Sequence, residues 1–187
     1  PARNTEHTSP VGPPAARTLL SIGARYTPAA EALDPAAWPT ARGRTADGVL
    51  WCAALARWKG LDLALSAYDA LEFADRPKLE ICYAPLDQRH PDAGRLPASL
   101  PRGAFSSCEP KGLDSIRASC NIFLHTSLSG EPFARSLLES MAAGLCPLVP
   151  DHADSAPLVQ HGRTGLLYAP GSRASLTQQL RRLTREP

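Results

Sequence analysis

Two glutamates around the start of a candidate helix are the residues of this sequence best suited to chemistry. Glu131 precedes Pro132, and Glu139 lies eight positions after Glu131. At about 1.5 Å of helix rise per residue, the two acids are about 12 Å apart along the axis and cannot share one proton. They could instead contact opposite ends of one extended ligand. The structural alternative is that Glu131 stabilises the helix dipole and Glu139 pairs with Arg135 one turn earlier.

The start of the same helix is suited to binding a phosphate group. Pro132 fits the first helical position, where a backbone N–H would be unpaired in any residue. The next amides, those of Phe133, Ala134 and Arg135, then point out of the helix end and form an anion-binding concavity. The sequence therefore indicates a phosphate site at this helix start.

The elements that must position these residues alternate along the chain from Gly48 onward. Short apolar runs predict strands at Val49–Leu55, Leu79–Tyr83, Ala104–Ser107, Asn121–His125, Pro147–Pro150 and Gly165–Tyr168. Helical stretches lie between or after them, at Leu61–Phe73, Leu113–Ser119, Pro132–Ala143, Ser155–Gln160 and Ala174–Arg185. This alternation predicts an α/β fold with a doubly wound parallel sheet. Turns from strand to helix lie on the ligand edge of such a sheet, and Lys59 precedes the first helix there.

Residues 1–47 differ from the rest because prolines punctuate them, which discourages regular structure. We interpret residues 1–47 as a partly irregular linker, with Thr18–Ile22 as a candidate edge strand, that leads into a domain over residues 48–187. Because the chain begins at Pro1 and not at Met, we expect it to be a fragment, a processed form or one half of a larger protein.

Composition and charge exclude several classes of protein. The 187 residues carry a net charge of +2 and 6% aromatic residues, which does not indicate a nucleic-acid partner. No apolar run approaches the about 20 residues that span a bilayer. The glycine-rich sequences of nicotinamide and ATP sites are absent. Five cysteines without a Cys-x-x-Cys pair argue against a disulfide framework or zinc site and for a reducing compartment, with several read as small buried side chains.

Weaker candidates have ordinary structural interpretations. The stretches 151–154 and 87–92 combine His and Asp, but we interpret them as solvated loops and expect no metal. Arg181, Arg182 and Arg185 would form a solvated face of the last helix, with contact to anionic lipid as the alternative.

Three stretches together resemble family 4 retaining glycosyltransferases. The run Glu-Pro-Phe-Ala-Arg-Ser-Leu-Leu-Glu-Ser-Met-Ala-Ala-Gly at residues 131–144 is similar to the family signature of two acids with seven residues between them. His161–Leu167 resembles the next family landmark and Arg57–Asp62 an earlier one, all in family order. The resemblance implies a GT-B architecture, in which two Rossmann-like domains face each other across a cleft. This chain matches the C-terminal, nucleotide-sugar-binding half.

The resemblance also implies roles for individual residues. Glu131 would approach the transferred sugar, and Glu139 would bind the ribose of the nucleotide. Lys59 would hold the diphosphate together with backbone amides, and these donors would stabilise the departing nucleoside diphosphate without a metal or other cofactor. The implied site comprises catalytic Glu131 and Lys59 and donor-binding Glu139, Pro132, Phe133, Ala134, Arg135 and Arg57. Family members commonly carry Gly-Arg where this chain has Ala53-Ala54, and that arginine helps to bind the diphosphate. Arg57 is included because it could replace the missing arginine.

The implied activity is transfer of a sugar, as in hexosyltransferases, from a nucleotide-diphosphate sugar to a glycan or glycolipid acceptor. Such a cytoplasmic enzyme of polysaccharide or glycoconjugate biosynthesis could also contact the inner face of the membrane. The acceptor site would lie on an N-terminal domain outside this chain, so we expect the chain alone to bind donor without turnover. The alternative is a degenerate, non-catalytic module for folding or partner docking, which Ala53-Ala54 and Pro157 motivate. A nucleotide-sugar epimerase of similar shape would need further acid and base residues. Sequence alone does not predict the base, the sugar, the acceptor or the oligomeric state.

Overall fold

The computed structural model describes residues 48–107, 112–129, 135–152 and 155–185. The predicted linker at residues 1–47 and its edge strand lie outside the described residues. So do four of the predicted site residues, Glu131, Pro132, Phe133 and Ala134.

Six strands alternate with four α-helices in the described ranges. The strands are β1 (Gly48–Ala54), β2 (Leu79–Ala84), β3 (Ala104–Ser107), β4 (Cys120–Leu124), β5 (Cys146–Pro150) and β6 (Leu166–Tyr168). The helices are α1 (Leu61–Asp69), α2 (Leu113–Ala118), α3 (Arg135–Ala142) and α4 (Arg173–Arg185). All paired strands are parallel, in the order β3-β2-β1-β4-β5-β6. The predicted Rossmann-like doubly wound sheet is therefore confirmed.

Two of the predicted helices are shorter than expected. The helix predicted over Leu61–Phe73 ends at Asp69, and the Arg76 guanidinium donates to the carbonyls of Asp69 and Leu71. Pro77 then disfavours helical backbone at the residue before it.

The helix predicted over Ser155–Gln160 is a single 3-10 turn, Ala156–Leu158. Val159 is extended and 4% exposed, and the Gln160 amide donates to the Thr164 hydroxyl rather than to a helical carbonyl. Burial of the valine in the core therefore prevails over the helical pattern.

Helices cover both faces of the sheet, as buried parallel strands require. On one face, α1 and α4 pack against a core that contains Trp51, Ile81 and Leu124. On the other face, residues of α3, with partly buried side chains of α2, pack against Leu50 and Phe123. Three residues at helical spacing on α1, Leu61, Leu65 and Tyr68, are buried, as is Leu71 just after the helix.

The strand order reverses between β1 and β4. The chain adds β2 and β3 on one side of β1, then returns to start β4 on the other side. Ligands of open α/β sheets bind at such a switch point, outside the carboxyl ends of the two strands. We therefore expect a ligand-binding site at the loops after β1 and β4.

Two thiols of the sheet, the half-buried Cys52 and the buried Cys120, are expected to make the stability of the fold sensitive to alkali. Burial raises the pKa of the Cys52 thiol to about 11, with a smaller contribution from the neighbouring Cys82, and burial raises that of Cys120 to about 11. The unfolded chain releases these protons near pH 9, so their contribution to stability is complete below pH 9 and is lost as the pH rises to about 11. We expect a fall of up to about 2–3 kcal/mol per thiol in the free energy of unfolding.

Urea unfolding at about pH 8 and about pH 10 measures the first part of this loss, about 1 kcal/mol per thiol, because the thiols of the folded chain are still mostly protonated at pH 10. The matched variant is Cys52→Ala/Cys120→Ala, which should lose less stability than the unsubstituted chain over the same interval. Equal losses in the two proteins would contradict the assignment to these thiols.

Candidate functional site

The turn after β1 needs a glycine where it meets the loop after β4. It contains a 3-10 turn over Arg57–Lys59 and reaches α1 through Gly60, whose φ is 69°. A Cβ at Gly60 would lie 2.1 Å from the backbone oxygen of Thr126. Residue 60 therefore has to be glycine for both reasons, its left-handed backbone and the close approach of the second loop.

Hydrogen bonds join the two switch-point loops into one unit. The Trp51 indole N–H donates to the Thr126 hydroxyl oxygen at 2.9 Å, and that hydroxyl donates to the Lys59 carbonyl at 2.9 Å. The Leu128 amide donates to the Trp58 carbonyl at 2.7 Å. Because Thr126 is 1% exposed, its two hydrogen bonds form in a water-poor interior where an unpaired hydroxyl is costly.

Lys59 carries a cation at this junction. Its side chain is 8% exposed, and its ammonium lies 4.2 Å from the centroid of the Trp58 ring. The ring face attracts the ammonium and restricts its position. The structure thus places a largely buried, preoriented cation at the switch point, where the sequence predicted one.

The loop after β5 joins the same edge of the sheet. The His152 ring nitrogen Nε2 lies 3.4 Å from the Ser127 carbonyl oxygen, and the Tyr168 hydroxyl donates to the His125 carbonyl at 3.1 Å. Across the four described ranges, no group of three or more His, Cys, Asp or Glu side chains could hold a metal ion.

Glu139 lies on α3 between two arginines. Its Oε1 accepts from Arg135 Nε at 2.8 Å, and its Oε2 accepts from Arg117 Nη2 at 2.5 Å. The pair with Arg135 that the structural interpretation predicted is therefore present. The carboxylate stays 14% exposed, so its burial does not exclude a further ligand contact.

Arg117 was not among the predicted site residues, although its position on the buried face of α2 indicates a role. Leu113, Ile116 and Arg117 share one face of α2, and the first two pack against the core. An arginine on the buried face of an amphipathic helix indicates a buried ion pair, because such a charge is rarely buried alone.

Arg57 lies on the other side of β1 from the loop after β4. Its amide donates to the Asp92 carbonyl at 2.9 Å, and its Nε donates to the Ala93 carbonyl at 3.2 Å. These contacts belong to the segment after β2, where Arg57 and Arg95 line a cavity of about 240 Å³. The Lys59 carbonyl contacts Thr126 on the β4 side and its ammonium lies on the Trp58 ring, so the two basic residues of this turn have different neighbours.

A parallel sheet with a cation-bearing turn at its switch point is typical of Rossmann-like domains that bind phosphorylated ligands. The family model of the group 1 glycosyl transferases matches residues 46–186, and the chain belongs to that family. No curated protein matches the chain in sequence.

Solved structures show the same fold at low sequence identity. Sucrose-phosphate synthase from Thermosynechococcus elongatus is 19% identical with a TM-score of 0.66, over 80% of this chain and 41% of that protein. Anabaena HepE in complex with UDP is 18% identical with a TM-score of 0.60, over 75% and 40%. TarM is 14% identical with a TM-score of 0.62, over 79% and 29%. The chain thus matches less than half the length of each of these GT-B proteins.

Within residues 48–107, 112–129, 135–152 and 155–185, no helix is both long and apolar enough to cross a bilayer.

Proposed function

We propose that this chain is the donor-binding, C-terminal half of a family 4 retaining glycosyltransferase. Such an enzyme transfers a sugar from a nucleotide-diphosphate sugar to a glycan or glycolipid acceptor in polysaccharide or glycoconjugate biosynthesis. The observation that carries the proposal is the pair of joined loops that holds Lys59 at the switch point of a group 1 glycosyltransferase domain. Crystal structures of HepE, which shares the fold, contain UDP, UDP with glucose, and UDP-glucose.

The proposed roles follow the charge that develops in the reaction. When the sugar departs, negative charge builds on the diphosphate, and preoriented donors stabilise it best in a site with little water. Lys59 is such a donor, and the amides of Phe133 and Ala134 would complete the set without a metal. Glu131 would approach the sugar, and Glu139 would orient the ribose.

The proposed enzyme needs a second domain. The matched proteins are more than twice as long as the part that this chain matches. An N-terminal domain would supply the acceptor site, and the chain alone would bind donor without turnover. We also propose that the enzyme is cytoplasmic. It would contact the inner face of the membrane if its acceptor is a glycolipid.

Calorimetric titration of the chain with UDP, GDP and their sugars tests the proposal. At least one nucleotide should bind weakly, and binding should be unchanged in the presence of EDTA because no metal bridges the phosphates. If none binds at millimolar concentration, the proposal is wrong.

A second candidate function is a non-catalytic module for folding or partner docking. The ion pairs on both oxygens of Glu139 favour it, because a carboxylate paired within the protein has less capacity for a ligand. Sugar release from any donor, measured with the complete protein, would exclude this candidate.

A further inference from the structure

We propose that Arg117 is a positioning residue for Glu139, and that Arg135 is the partner which the ribose of a bound nucleotide replaces. The inference rests on the proposed function, because it concerns the same carboxylate. It assigns different tasks to the two arginines that contact Glu139. One holds the carboxylate in place, and the other is exchangeable.

The fixed character of Arg117 follows from its burial and its anchors. The side chain is 3% exposed, and it joins α2 to α3 through Glu139 Oε2. A second nitrogen, Nη1, lies 3.3 Å from Asp114 Oδ1 within α2. The Asp114 side chain is 73% exposed, so the burial of the guanidinium and its bond to Glu139 are what restrict its turning, and its direction fixes that of Glu139.

Arg135 differs from Arg117 in each of these respects. Its side chain is 62% exposed, and it contacts Glu139 from one turn earlier on the same helix. An exposed ion pair of this spacing contributes little to stability, since water and salt compete with it. Displacement of Arg135 from Glu139 Oε1 is therefore an inexpensive step for an incoming ligand.

The carboxylate retains capacity for hydroxyl donors. An ionised carboxylate accepts about four hydrogen bonds, and the two arginines occupy one position on each oxygen. A ribose presents two neighbouring hydroxyl groups, which match the two oxygens of one carboxylate. Arg117 would keep those oxygens facing the ribose. This matters because a binding side chain that has rotated away from its ligand loses most of its contribution to affinity.

The test compares two ligands on the 187-residue chain. One is whichever of UDP or GDP binds, and the other is its analogue whose sugar lacks both ribose hydroxyl groups. We expect the unsubstituted chain to prefer the ribonucleotide about tenfold or more. Arg117→Met should lower ribonucleotide affinity about tenfold and change the affinity for the analogue less than about twofold. Glu139→Gln should have the same pattern. Arg135→Ala should retain or increase the ribose preference, because it removes the contact that the ribose replaces.

A conservative variant and a distant control distinguish positioning from folding. Arg117→Lys keeps the charge and should restore part of the preference, which also covers the case in which Arg117→Met does not fold. Arg76→Met removes an arginine that is 16% exposed and 3.1 Å from Asp69, just after α1 at the opposite edge of the sheet. It should leave both affinities unchanged.

Three results would overturn the inference while the proposed function stands. The first is that Arg117→Met and Arg117→Lys lose affinity equally for both ligands. The second is that these variants lose affinity for neither ligand. The third is that the unsubstituted chain binds the ribonucleotide and the analogue equally well. If the unsubstituted chain binds neither ligand, the proposed function itself fails.

Discussion

Replacement of Lys59 by methionine is expected to lower the affinity for a nucleoside diphosphate about ten- to a hundredfold. Lys59 is 8% exposed as a residue and its ammonium lies on the Trp58 ring face, so little entropy is lost when the ammonium is oriented toward a ligand. A charge-assisted hydrogen bond to phosphate contributes about 1.5–3 kcal/mol, which gives this range. Methionine removes the charge but keeps an unbranched side chain only one atom shorter, so most of the packing of the lysine stem is retained. Calorimetric titration of both proteins measures the difference.

Lys78 offers a matched control for this experiment. Its ammonium lies 5.0 Å from the centroid of the Phe105 ring, but the residue precedes β2 and so belongs to the opposite edge of the sheet. Lys78→Met should leave nucleotide affinity unchanged. If Lys59→Met and Lys78→Met bind equally well, Lys59 does not contact the diphosphate.

Replacement of Gly60 by alanine is expected to lower the free energy of unfolding by about 3 kcal/mol or more. The first contribution is the left-handed backbone, with φ at 69°, which a side chain tolerates poorly. The second is the contact of 2.1 Å between the new Cβ and the Thr126 backbone oxygen. Relief of this contact requires separation of the two switch-point loops. Urea unfolding measures the loss.

Gly171→Ala isolates the backbone contribution. Its φ is 68°, nearly that of Gly60, but no atom lies within 4 Å of the added Cβ. We expect this variant to lose only about 1–2 kcal/mol. A similar loss in both variants would show that the loops after β1 and β4 are not in close contact in solution.

The strands were predictable because parallel strands in the middle of a sheet are buried on both faces. Their apolar runs stand out, and each predicted strand agrees with the structure to within one residue at either end. The short helical stretches were less predictable. Around Pro157, the spacing of apolar residues is compatible with a helix, and only the burial of Val159 in the core decides for extended backbone.

The site was predictable in part. The helical pattern after Lys59-Gly60 placed this turn on the ligand edge of the sheet. Its partner loop was not predictable, because the strand order that puts β4 beside β1 depends on contacts between residues far apart in sequence. Thr126 shows the difficulty, since nothing local indicates that its hydroxyl joins Trp51 to the carbonyl of Lys59.

The bridge through Thr126 has a consequence for how the proposed donor site forms. Thr126 lies 67 positions after Lys59 and 75 positions after Trp51, so neither loop can take up its final shape from its own sequence. Competence to hold a ligand therefore arises with cooperative assembly of the sheet. Substitutions in the buried central strands would therefore abolish ligand binding without altering any residue that contacts the ligand.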